Sequence, residues 1–322
     1  MLTQAVAAPP VSDLAQDVRA GLSKDGQKEL PCRYFYDEIG SALFEVITRL
    51  PEYGLSRAGE RLLRKSAQAI VSRVPSRVIV AELGCGSGRN TRWLLEALSR
   101  RRPVAYCPIE ISGAALATCK RQLDDIDSLS FVGFEREYLD GLAEVSTLRR
   151  THEHLLVLFL GSTIGNFDRL QGMQFLERVR QNLIPGDSLL LATDLEKPIP
   201  QLLLAYDDSL GVTAAFNLNL LARLNRELGA DFRLNQFRHV ARYNYQERRI
   251  EMHLLSTSEQ TVTIPGAGLA VTLKRGETIW TESSHKYNVP EVLQMARQSG
   301  FHCDTQWLDE EWPFAHTLLI AG

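Results

Sequence analysis

The sequence predicts an α/β protein with a doubly wound, mainly parallel sheet and a second, smaller α+β lobe. Amphipathic helices alternate with short apolar strands from about residue 60 to residue 193, as in consecutive βαβ units. The alternation breaks over residues 197–285, where two helical stretches precede strands with period-2 patterning. It resumes after Pro290 with a helix and two strands, which we expect to complete the sheet.

The elements follow from local patterns taken in chain order. A helix over 59–74 has its apolar residues on one face and is ended by Pro75. Runs of apolar residues predict the strands, and Pro185-Gly186-Asp187 is a turn before one of them. We predict further helices at 91–99, 113–123, 168–183, 200–207, 212–228 and 290–300, and strands at 78–81, 104–109, 129–132, 155–160, 188–193, 249–255, 261–273, 301–307 and 317–320.

These patterns divide the chain into four parts. Residues 1–58 are an N-terminal segment of the substrate lobe, and residues 59–196 form the main sheet domain. Residues 197–285 form the inserted substrate-binding lobe, and residues 286–322 complete the main sheet. A chain of 322 residues is long enough for two such lobes, because single hydrophobic cores stop growing near ~250–300 residues.

Composition favours a small-molecule partner. The net charge of −3 comes from mixed acidic and basic residues, so nothing favours nucleic acid or an anionic membrane. The five cysteines are scattered without a CxxC pair, which favours reduced thiols. Residues 1–10 lack the features of a signal peptide, and no apolar run reaches membrane-spanning length. We expect a cytoplasmic monomer without a metal site, in which His152-Glu153-His154 is solvated.

A glycine-rich loop follows the first strand and precedes a helix. It reads Glu82-Leu83-Gly84-Cys85-Gly86-Ser87-Gly88, with glycines at every second residue after an acid. This spacing differs from the G-x-G-x-x-G of dinucleotide sites and is that of class I methyltransferases, whose ligand is S-adenosylmethionine. Glycines allow a ligand to approach the backbone closely. The backbone N–H groups at the start of the helix attract the ligand's carboxylate. An ordinary strand-to-helix turn is the alternative.

Acidic residues follow the next two strands. Glu110 comes 22 residues after Gly88, where a doubly wound fold places the acid that accepts the ribose hydroxyls. Glu135, Glu137 and Tyr138 follow the third strand, where an acid and an aromatic ring could contact the adenine. Simple solvation is an equally good interpretation for any one of these glutamates.

Several long motifs resemble those of the histidine-specific Nα-methyltransferases of ergothioneine biosynthesis. The resemblance extends from about residue 30 to the end. The motifs are Arg33-Tyr34-Phe35-Tyr36-Asp37, Thr48-Arg49-Leu50-Pro51-Glu52-Tyr53, Phe159-Leu160-Gly161-Ser162-Thr163-Ile164-Gly165-Asn166-Phe167, Ala205-Tyr206-Asp207-Asp208, Gly211-Val212-Thr213-Ala214-Ala215-Phe216-Asn217 and Asn225-Arg226-Glu227-Leu228. Members of that family convert L-histidine to the betaine hercynine by three methyl transfers from S-adenosylmethionine.

The resemblance implies roles for individual residues. Asn166, Tyr206 and Gly161 match positions that hold the amino acid's backbone end, and Tyr53 matches a tyrosine near the α-amine; we assign Tyr53, Asn166 and Tyr206 as catalytic. Glu282 and Ser284 match the pair that hydrogen-bonds the imidazole nitrogens. The remaining matches are Thr213, Phe216 and Met252 for the substrate, and Tyr36, Phe44, Gly84, Gly86, Asn90, Glu110, Glu137 and Tyr138 for the cofactor.

The sequence also departs from the family. Tyr53 is followed by Gly54 where the family has a second tyrosine, and Asn90 stands where some relatives have lysine. Glutamates stand at positions 110 and 137, where aspartate is common. Gly54 leaves open a different amino acid or a histidine derivative as substrate. A non-catalytic cofactor-binding protein is disfavoured because the motif residues are intact, and an NAD-dependent oxidoreductase is disfavoured by the glycine spacing.

Overall fold

The computed structural model describes the backbone of residues 11–322 and side chains from residue 13. Residues 1–10, interpreted above as lacking an export signal, lie outside the described residues. The helices are α1 (Val11–Leu22), α2 (Glu38–Ile47), α3 (Gly54–Arg73), α4 (Arg92–Ser99), α5 (Gly113–Leu123), α6 (Tyr138–Thr147), α7 (Arg169–Gln181), α8 (Ile199–Tyr206), α9 (Val212–Leu228) and α10 (Val289–Gln298).

Strands are distributed along most of the chain. They are β1 (Lys28–Glu29), β2 (Val78–Leu83), β3 (Val104–Glu110), β4 (Leu129–Phe131), β5 (Phe134–Glu135), β6 (His154–Phe159), β7 (Ser188–Asp194), β8 (Phe237–Asn244), β9 (Arg249–Ser256), β10 (Gln260–Ile264), β11 (Leu269–Leu273), β12 (Thr278–His285), β13 (Phe301–Asp309) and β14 (Phe314–Ala321). The described residues divide into a smaller unit, formed by residues up to Glu52 and Ile199–Ser283, and a larger unit, Tyr53–Pro198 and Ser284–Gly322.

The larger unit is built around an eight-stranded sheet. Its strand order is β13-β14-β7-β6-β2-β3-β4, with β5 pairing beside β3. The neighbouring strands β7, β6, β2, β3 and β4 are parallel to one another, and so is β5 beside β3. In contrast, β13 and β14 are antiparallel to the strands beside them. The order reverses between β2 and β6, and ligands of such sheets bind at the carboxyl ends of the strands near this point.

Burial on both faces explains the apolar strands. Every residue of β2 and β7 is buried, and so are five of the six residues of β6. Leucine, valine and isoleucine dominate these strands, as expected where helices cover both faces of a parallel sheet. The predicted α/β class, with its parallel sheet and antiparallel closing strands, is confirmed.

The smaller unit combines helices with an antiparallel sheet. β1, β12, β9 and β8 form a four-stranded sheet in that order, and β10 pairs with β11 in a separate hairpin. α9 lies at the centre, because Leu220, Leu221 and Leu224 on it are fully buried. This unit holds all three motifs that the resemblance identified between residues 199 and 228.

Two sequence predictions need correction. The single strand predicted at 261–273 is two strands, β10 and β11, separated by a turn at Pro265–Ala267. Pro265 lacks the backbone N–H that a continuous strand would require, so the ladder breaks there. The helix predicted from residue 59 begins at Gly54, because Leu55 and Ala58 are buried and extend its packed face by one turn.

No helix within the described residues is both long and apolar enough to cross a membrane.

Candidate active site

The glycine loop has a backbone that only glycine adopts readily. Gly84, Gly86 and Gly88 all have positive φ, at 77°, 49° and 72°. A Cβ at residue 88 would stand 2.6 Å from the Sγ atom of Cys119, and one at residue 84 would stand 3.0 Å from the Tyr138 hydroxyl. The loop therefore packs tightly beneath its glycines, while its backbone follows directly from the carboxyl end of β2.

Glu82 lies beneath this loop and acts as its anchor. Its carboxylate accepts hydrogen bonds from the Thr91 hydroxyl at 2.6 Å and from the Tyr106 hydroxyl. These bonds tie β2 to the start of α4 and to β3. Burial raises the pKa of Glu82 to about 7, against the lowering effect of these bonds. The acid that precedes the glycines thus has a structural role that its sequence pattern alone did not specify.

Glu110 ends β3 beside the loop, as its sequence position predicts. Its Oε1 accepts from the backbone N–H of Ile111 at 2.9 Å and of Ser112 at 3.3 Å. Its Oε2 lies 3.4 Å from the Gly86 nitrogen, a longer contact that connects the acid to the loop. Burial raises the pKa of Glu110, although the three backbone contacts oppose that rise. The carboxylate is held in place and suits a hydroxyl donor.

The other predicted cofactor residues of the larger unit lie nearby in the fold. Tyr138 begins α6, contacts the Phe159 ring edge-on at a centroid distance of 5.8 Å, and stands over Gly84. Glu137 occupies the N-cap position of α6. Asn90 donates a hydrogen bond from Nδ2 to the Ser56 carbonyl at 3.2 Å, which ties the loop to α3. The cofactor roles of these residues remain predictions.

The segment from Gly161 to Asn166 follows β6 with two consecutive left-handed residues. Gly161 has φ 69° and Ser162 has φ 60°. The strain at Ser162 is compensated because its Oγ accepts a hydrogen bond from the Asp194 backbone N–H at 2.8 Å. Ser162 and Asp194 therefore meet at the carboxyl edge of the sheet, where β6 and β7 end side by side.

The end of β12 holds this segment from the other side. A Cβ at Gly165 would come within 3.0 Å of the His285 carbonyl oxygen, so only glycine fits there. The Tyr287 hydroxyl donates to the Ile164 carbonyl at 3.2 Å. Asn166 closes the segment as the last residue of a 3-10 turn and is half-buried. Asn166 thus lies on a tightly packed loop at the same edge of the sheet as the glycine loop, because β6 and β2 are neighbouring parallel strands.

A buried cluster of charges lies directly behind that loop. Asp194 Oδ1 accepts from Lys197 Nζ at 2.5 Å and from the Trp312 indole N–H at 3.0 Å. Asp194 Oδ2 pairs with Lys286 Nζ at 2.8 Å, and all three charged side chains are fully buried. Lys286 also donates to the Ser284 hydroxyl at 2.7 Å. Sequence reasoning missed this cluster, since its members have no recognisable spacing.

In the smaller unit, three predicted site residues form one aromatic cluster. Phe216 lies 5.9 Å from both Tyr36 and Phe44 between ring centroids, and Tyr36 lies 5.6 Å from Phe44. Phe35 packs against Phe216 at 4.5 Å. The sequence analysis assigns Tyr36 and Phe44 to the cofactor and Phe216 to the substrate, and the structure brings the three rings together at one place.

Other motif residues position this cluster. The Asp37 carboxylate caps α2 by accepting a hydrogen bond from the Gly40 backbone N–H at 2.7 Å. It also accepts one from Asn219 Nδ2 at 2.8 Å and forms an ion pair with Arg226. The Tyr36-Asp37 motif is thereby fastened to α9, which carries Phe216. The motifs at 33–37 and 225–228 therefore contribute Asp37 and Arg226, the two members of an ion pair that fastens the aromatic cluster to α9.

Tyr206 and Thr213 lie at facing ends of α8 and α9. Asp208 accepts from the backbone N–H of Val212 at 3.0 Å and of Thr213 at 2.7 Å, so it caps α9. The Tyr206 carbonyl accepts from His239 Nε2 at 2.7 Å. Burial lowers the pKa of His239, which keeps its imidazole neutral. Tyr206 and Thr213 are both buried and are fixed by this polar network.

Met252 and Glu282 lie on neighbouring strands of the smaller unit. The Thr281 hydroxyl donates to the Met252 carbonyl at 3.0 Å and to Asn217 Oδ1 at 2.8 Å. Met252 is fully buried, whereas Glu282 is half-buried. Ser284 lies two residues further along β12 and is buried.

Trp312 explains the departure at Gly54. A Cβ at Gly54 would stand 2.0 Å from the Trp312 ring, so the indole occupies the space that a side chain at residue 54 would need. Tyr53, the N-cap residue of α3, is buried beside this contact. A ring from a distant part of the chain therefore lies at position 54, where the resemblance leads us to expect a second tyrosine.

Within residues 13–322, no group of three or more histidine, cysteine, aspartate or glutamate side chains is placed to hold a metal ion. The prediction that His154 is simply solvated is wrong, because its Nδ1 lies 3.2 Å from Asp187 Oδ1. None of the five cysteines, all of which are described, forms a disulfide.

Comparison with known proteins agrees with this geometry. Residues 14–321 match the family described as histidine-specific methyltransferase, SAM-dependent. The chain is 39% identical over 312 residues to a histidine N-alpha-methyltransferase of Mycolicibacterium smegmatis, covering 95% of this chain and 94% of that protein. It is 29% identical to ergothioneine biosynthesis protein 1 of Neurospora crassa, over 88% of this chain and 32% of that protein. A 4-dimethylallyltryptophan N-methyltransferase of Epichloe festucae var. lolii is 24% identical over 90% of each chain.

The sheet, the glycine loop and the acid after β3 define an S-adenosylmethionine-dependent methyltransferase of the class I, Rossmann-like type. The match over nearly the whole chain narrows this class to N-methyltransferases. The chain belongs to the histidine-specific methyltransferase family, as its motifs predicted.

Proposed function

We propose that this enzyme transfers three methyl groups from S-adenosylmethionine to the α-amine of L-histidine and produces hercynine. The observation that carries the proposal is the match of residues 14–321 to the histidine-specific family. The 39% identity to a histidine N-alpha-methyltransferase extends over 95% of the chain, so it includes every residue proposed for the site.

The larger unit fits the cofactor. The positive-φ glycines at 84, 86 and 88 have no side chains, so a ligand can approach the loop backbone closely just before α4. The fixed carboxylate of Glu110 suits the ribose hydroxyls, and Tyr138 offers an aromatic surface. S-adenosylmethionine, when bound, supplies an electrophilic methyl group on a sulfonium. We propose that these residues hold it.

The chain's own contribution to catalysis is mainly positioning. Displacement at a methyl carbon needs a neutral amine in line with the departing group, so orientation supplies much of the rate enhancement. We propose that Asn166, on its rigid loop, and Tyr206 hold the amino acid's backbone end, with Tyr53 beside the amine. The α-amine must lose a proton before each attack. None of the proposed residues is a strong base, so a tyrosine hydroxyl, the substrate carboxylate or water relays that proton.

Side-chain selection is proposed for Glu282 and Ser284. A carboxylate and a hydroxyl can satisfy both nitrogens of an imidazole, one as acceptor and the other as donor. A bound phenylalanine or tryptophan would shield these groups from water without giving them full partners, a loss of about 1–3 kcal/mol for each unsatisfied group. Met252 and Phe216 are proposed to form the wall of this pocket, and Thr213 is proposed to bind the substrate.

An assay of all twenty amino acids tests the proposal. Purified enzyme is incubated with S-adenosylmethionine and each amino acid, and products are identified by mass spectrometry. Histidine should gain three methyl groups, and Gly86→Val should abolish the product because its side chain enters the loop. A preference for a different amino acid, or no histidine product, would overturn the proposal.

A different amino acid, or a derivative of histidine, is the second candidate. The observation that favours it is the exchange of an aromatic residue at position 54 for Gly54 and Trp312, next to Tyr53. The 24% identical relative named for 4-dimethylallyltryptophan shows that substrates of proteins similar to this chain extend beyond histidine. Offering tryptophan and histidine derivatives in the same assay separates the two candidates.

We further propose that the enzyme acts as a cytoplasmic monomer. Five cysteines without a disulfide fit a reducing compartment. Light scattering coupled to size exclusion should give the mass of one 36.1 kDa chain, and a doubled mass would contradict the monomer.

A further inference from the structure

Trp312 is buried although it belongs to a turn. The turn joins β13 to β14 and also contains Glu310 and Glu311, whose side chains are exposed. Trp312, in contrast, is only 6% exposed. Residues that connect strands normally lie at the surface, where water satisfies their backbone groups. A large ring buried at this place therefore directs attention to what it holds together.

The turn is fastened to α3 at two places. The Asp309 carboxylate accepts a hydrogen bond from the Trp312 backbone N–H at 2.8 Å and two from the Arg61 guanidinium at 2.7 and 2.8 Å. The indole ring packs on Gly54, the first residue of α3, where a Cβ would stand 2.0 Å from it. Tyr53 is the N-cap residue of this helix. The indole therefore lies where α3 begins, next to the tyrosine proposed to lie beside the amine.

The indole is also bonded to the end of β7. Its N–H donates to Asp194 Oδ1 at 3.0 Å, and the Pro313 carbonyl accepts from the Leu195 backbone N–H at 3.1 Å. The Asp194 backbone N–H in turn donates to Ser162 Oγ at 2.8 Å, in the loop that carries Asn166. One side chain thus connects the start of α3 with this loop.

Close packing makes the connection stiff. The Lys197 ammonium lies 4.9 Å from the centre of the indole ring and is itself paired with Asp194. The side chains of Lys197 and Asp194 are fully buried. A large ring in such surroundings cannot shift without moving the groups that it contacts. The positions of α3 and of the end of β7 therefore depend on each other through Trp312.

We propose that Trp312 is a positioning residue for methyl transfer, which holds Tyr53 and the loop of Asn166 at the spacing that a bound amino acid requires. The inference rests on the proposed function, in which Tyr53 lies beside the amine and Asn166 holds the backbone end. The amine and the carboxylate are attached to the same carbon, so the residues that hold them must keep a fixed separation. In-line displacement is sensitive to this separation, because a misplacement of about 1 Å can cost roughly 10²-fold in rate.

Trp312→Ala and Trp312→Phe test the proposal, and Phe301→Ala is the matched control. Phe301 is buried at the opposite end of the same hairpin, where it pairs with Ala321. Titration with S-adenosylhomocysteine counts the molecules that fold and bind cofactor, and kcat at saturating substrates is expressed per such molecule. Trp312→Ala should lower this kcat roughly 10²-fold, and Trp312→Phe, which keeps a ring but no N–H, about tenfold. Phe301→Ala should lower the melting temperature and leave this kcat unchanged.

Changes at residue 54 show whether the ring acts through the start of α3. Gly54→Ala places a Cβ against the indole and should lower kcat. In the Trp312→Ala background the same change meets no ring, so it should have little further effect. Gly54→Tyr added to Trp312→Ala returns a ring to the vacated space and should recover most of the lost kcat. Trp312→Phe serves as the second variant should Trp312→Ala fail to fold.

The outcomes separate this inference from the proposed function. Tyr53 and Asn166 are proposed to hold the part that all amino acids share, so the loss in each Trp312 variant should be equal for every amino acid that is methylated. If the wild-type enzyme prefers a different amino acid, the proposed function is overturned and the same comparison is made with that substrate. If it methylates no amino acid, both are overturned. Unchanged kcat per cofactor-binding molecule, a shift in substrate preference, or additive effects of the changes at residues 54 and 312 would overturn this inference alone.

Discussion

Replacing Gly88 by alanine should separate the glycine loop's close packing from its backbone strain. Gly88 has φ 72°, a conformation that costs an alanine about 1–2 kcal/mol. The added Cβ would also stand 2.6 Å from Cys119 Sγ and 3.2 Å from Leu123 Cδ1. Cys119 is fully buried on α5 and cannot move aside, so the loop must shift by nearly 1 Å.

That shift is large enough to break hydrogen bonds from the loop. A donor–acceptor distance near 2.9 Å lengthened by almost 1 Å is no longer a hydrogen bond. Losing one bond to a charged carboxylate costs about 1.5–3 kcal/mol, or roughly 10- to 100-fold in affinity. Calorimetric titration with S-adenosylhomocysteine should therefore show this loss for Gly88→Ala.

Two controls isolate the cause. Gly276→Ala introduces the same strain, at φ 87°, in a turn where an added Cβ meets no atom within 4 Å. It should lower the melting temperature without weakening cofactor binding. Cys119→Ala added to Gly88→Ala removes the clashing sulfur and should restore most of the affinity. Unchanged affinity in a correctly folded Gly88→Ala protein would refute the placement of the cofactor over this loop.

Three further changes have defined outcomes. Asn166→Ala should lower kcat/KM at least about tenfold for every amino acid substrate, because it removes a bond to the part they share; unchanged histidine turnover would exclude Asn166 from the site. Glu282→Ala should shift an equal-substrate competition from histidine towards tryptophan by roughly 10²-fold, and an unchanged product ratio would place the side-chain pocket elsewhere. Burial lowers the pKa of His316 to about 3, so the unfolded chain binds a proton there below pH 6.5 before the folded one does. His316 should thus cost about 2–3 kcal/mol of stability at pH 4.5 relative to pH 7, and urea titrations of His316→Leu should show a smaller loss over that range.

Most helices and strands of the larger unit were predictable from sequence because they depend on local periodicity, but α6 and the short strand β5 were not predicted. Buried strands such as β6 and β7 are continuous apolar runs, and each lies between amphipathic segments. The glycine loop and Glu110 were predictable for the same reason, since a strand end and a helix start place them within a few residues. Where a local signal was overlooked, as at Pro265, the prediction was wrong.

Long-range packing decided what the sequence alone could not. Phe216 meets Tyr36 and Phe44 although about 170 to 180 residues separate them, and no local pattern indicates that contact. Trp312 fills the space beside Gly54 from the other end of the chain. The sequence shows only that an aromatic ring is missing at position 54.

The charge cluster is the clearest case of this division. Asp194 and Lys197 are close in sequence, but Lys286 and Trp312 reach Asp194 only because β7 ends beside the segment that follows β12 and beside β14. A buried charge is stable only with its partners in place, and those partners are brought together by folding. The sequence by itself determined the class of sheet, the glycine loop and the family; the tertiary structure decided which side chains hold the proposed site residues in position, because that depends on contacts between segments far apart in the chain.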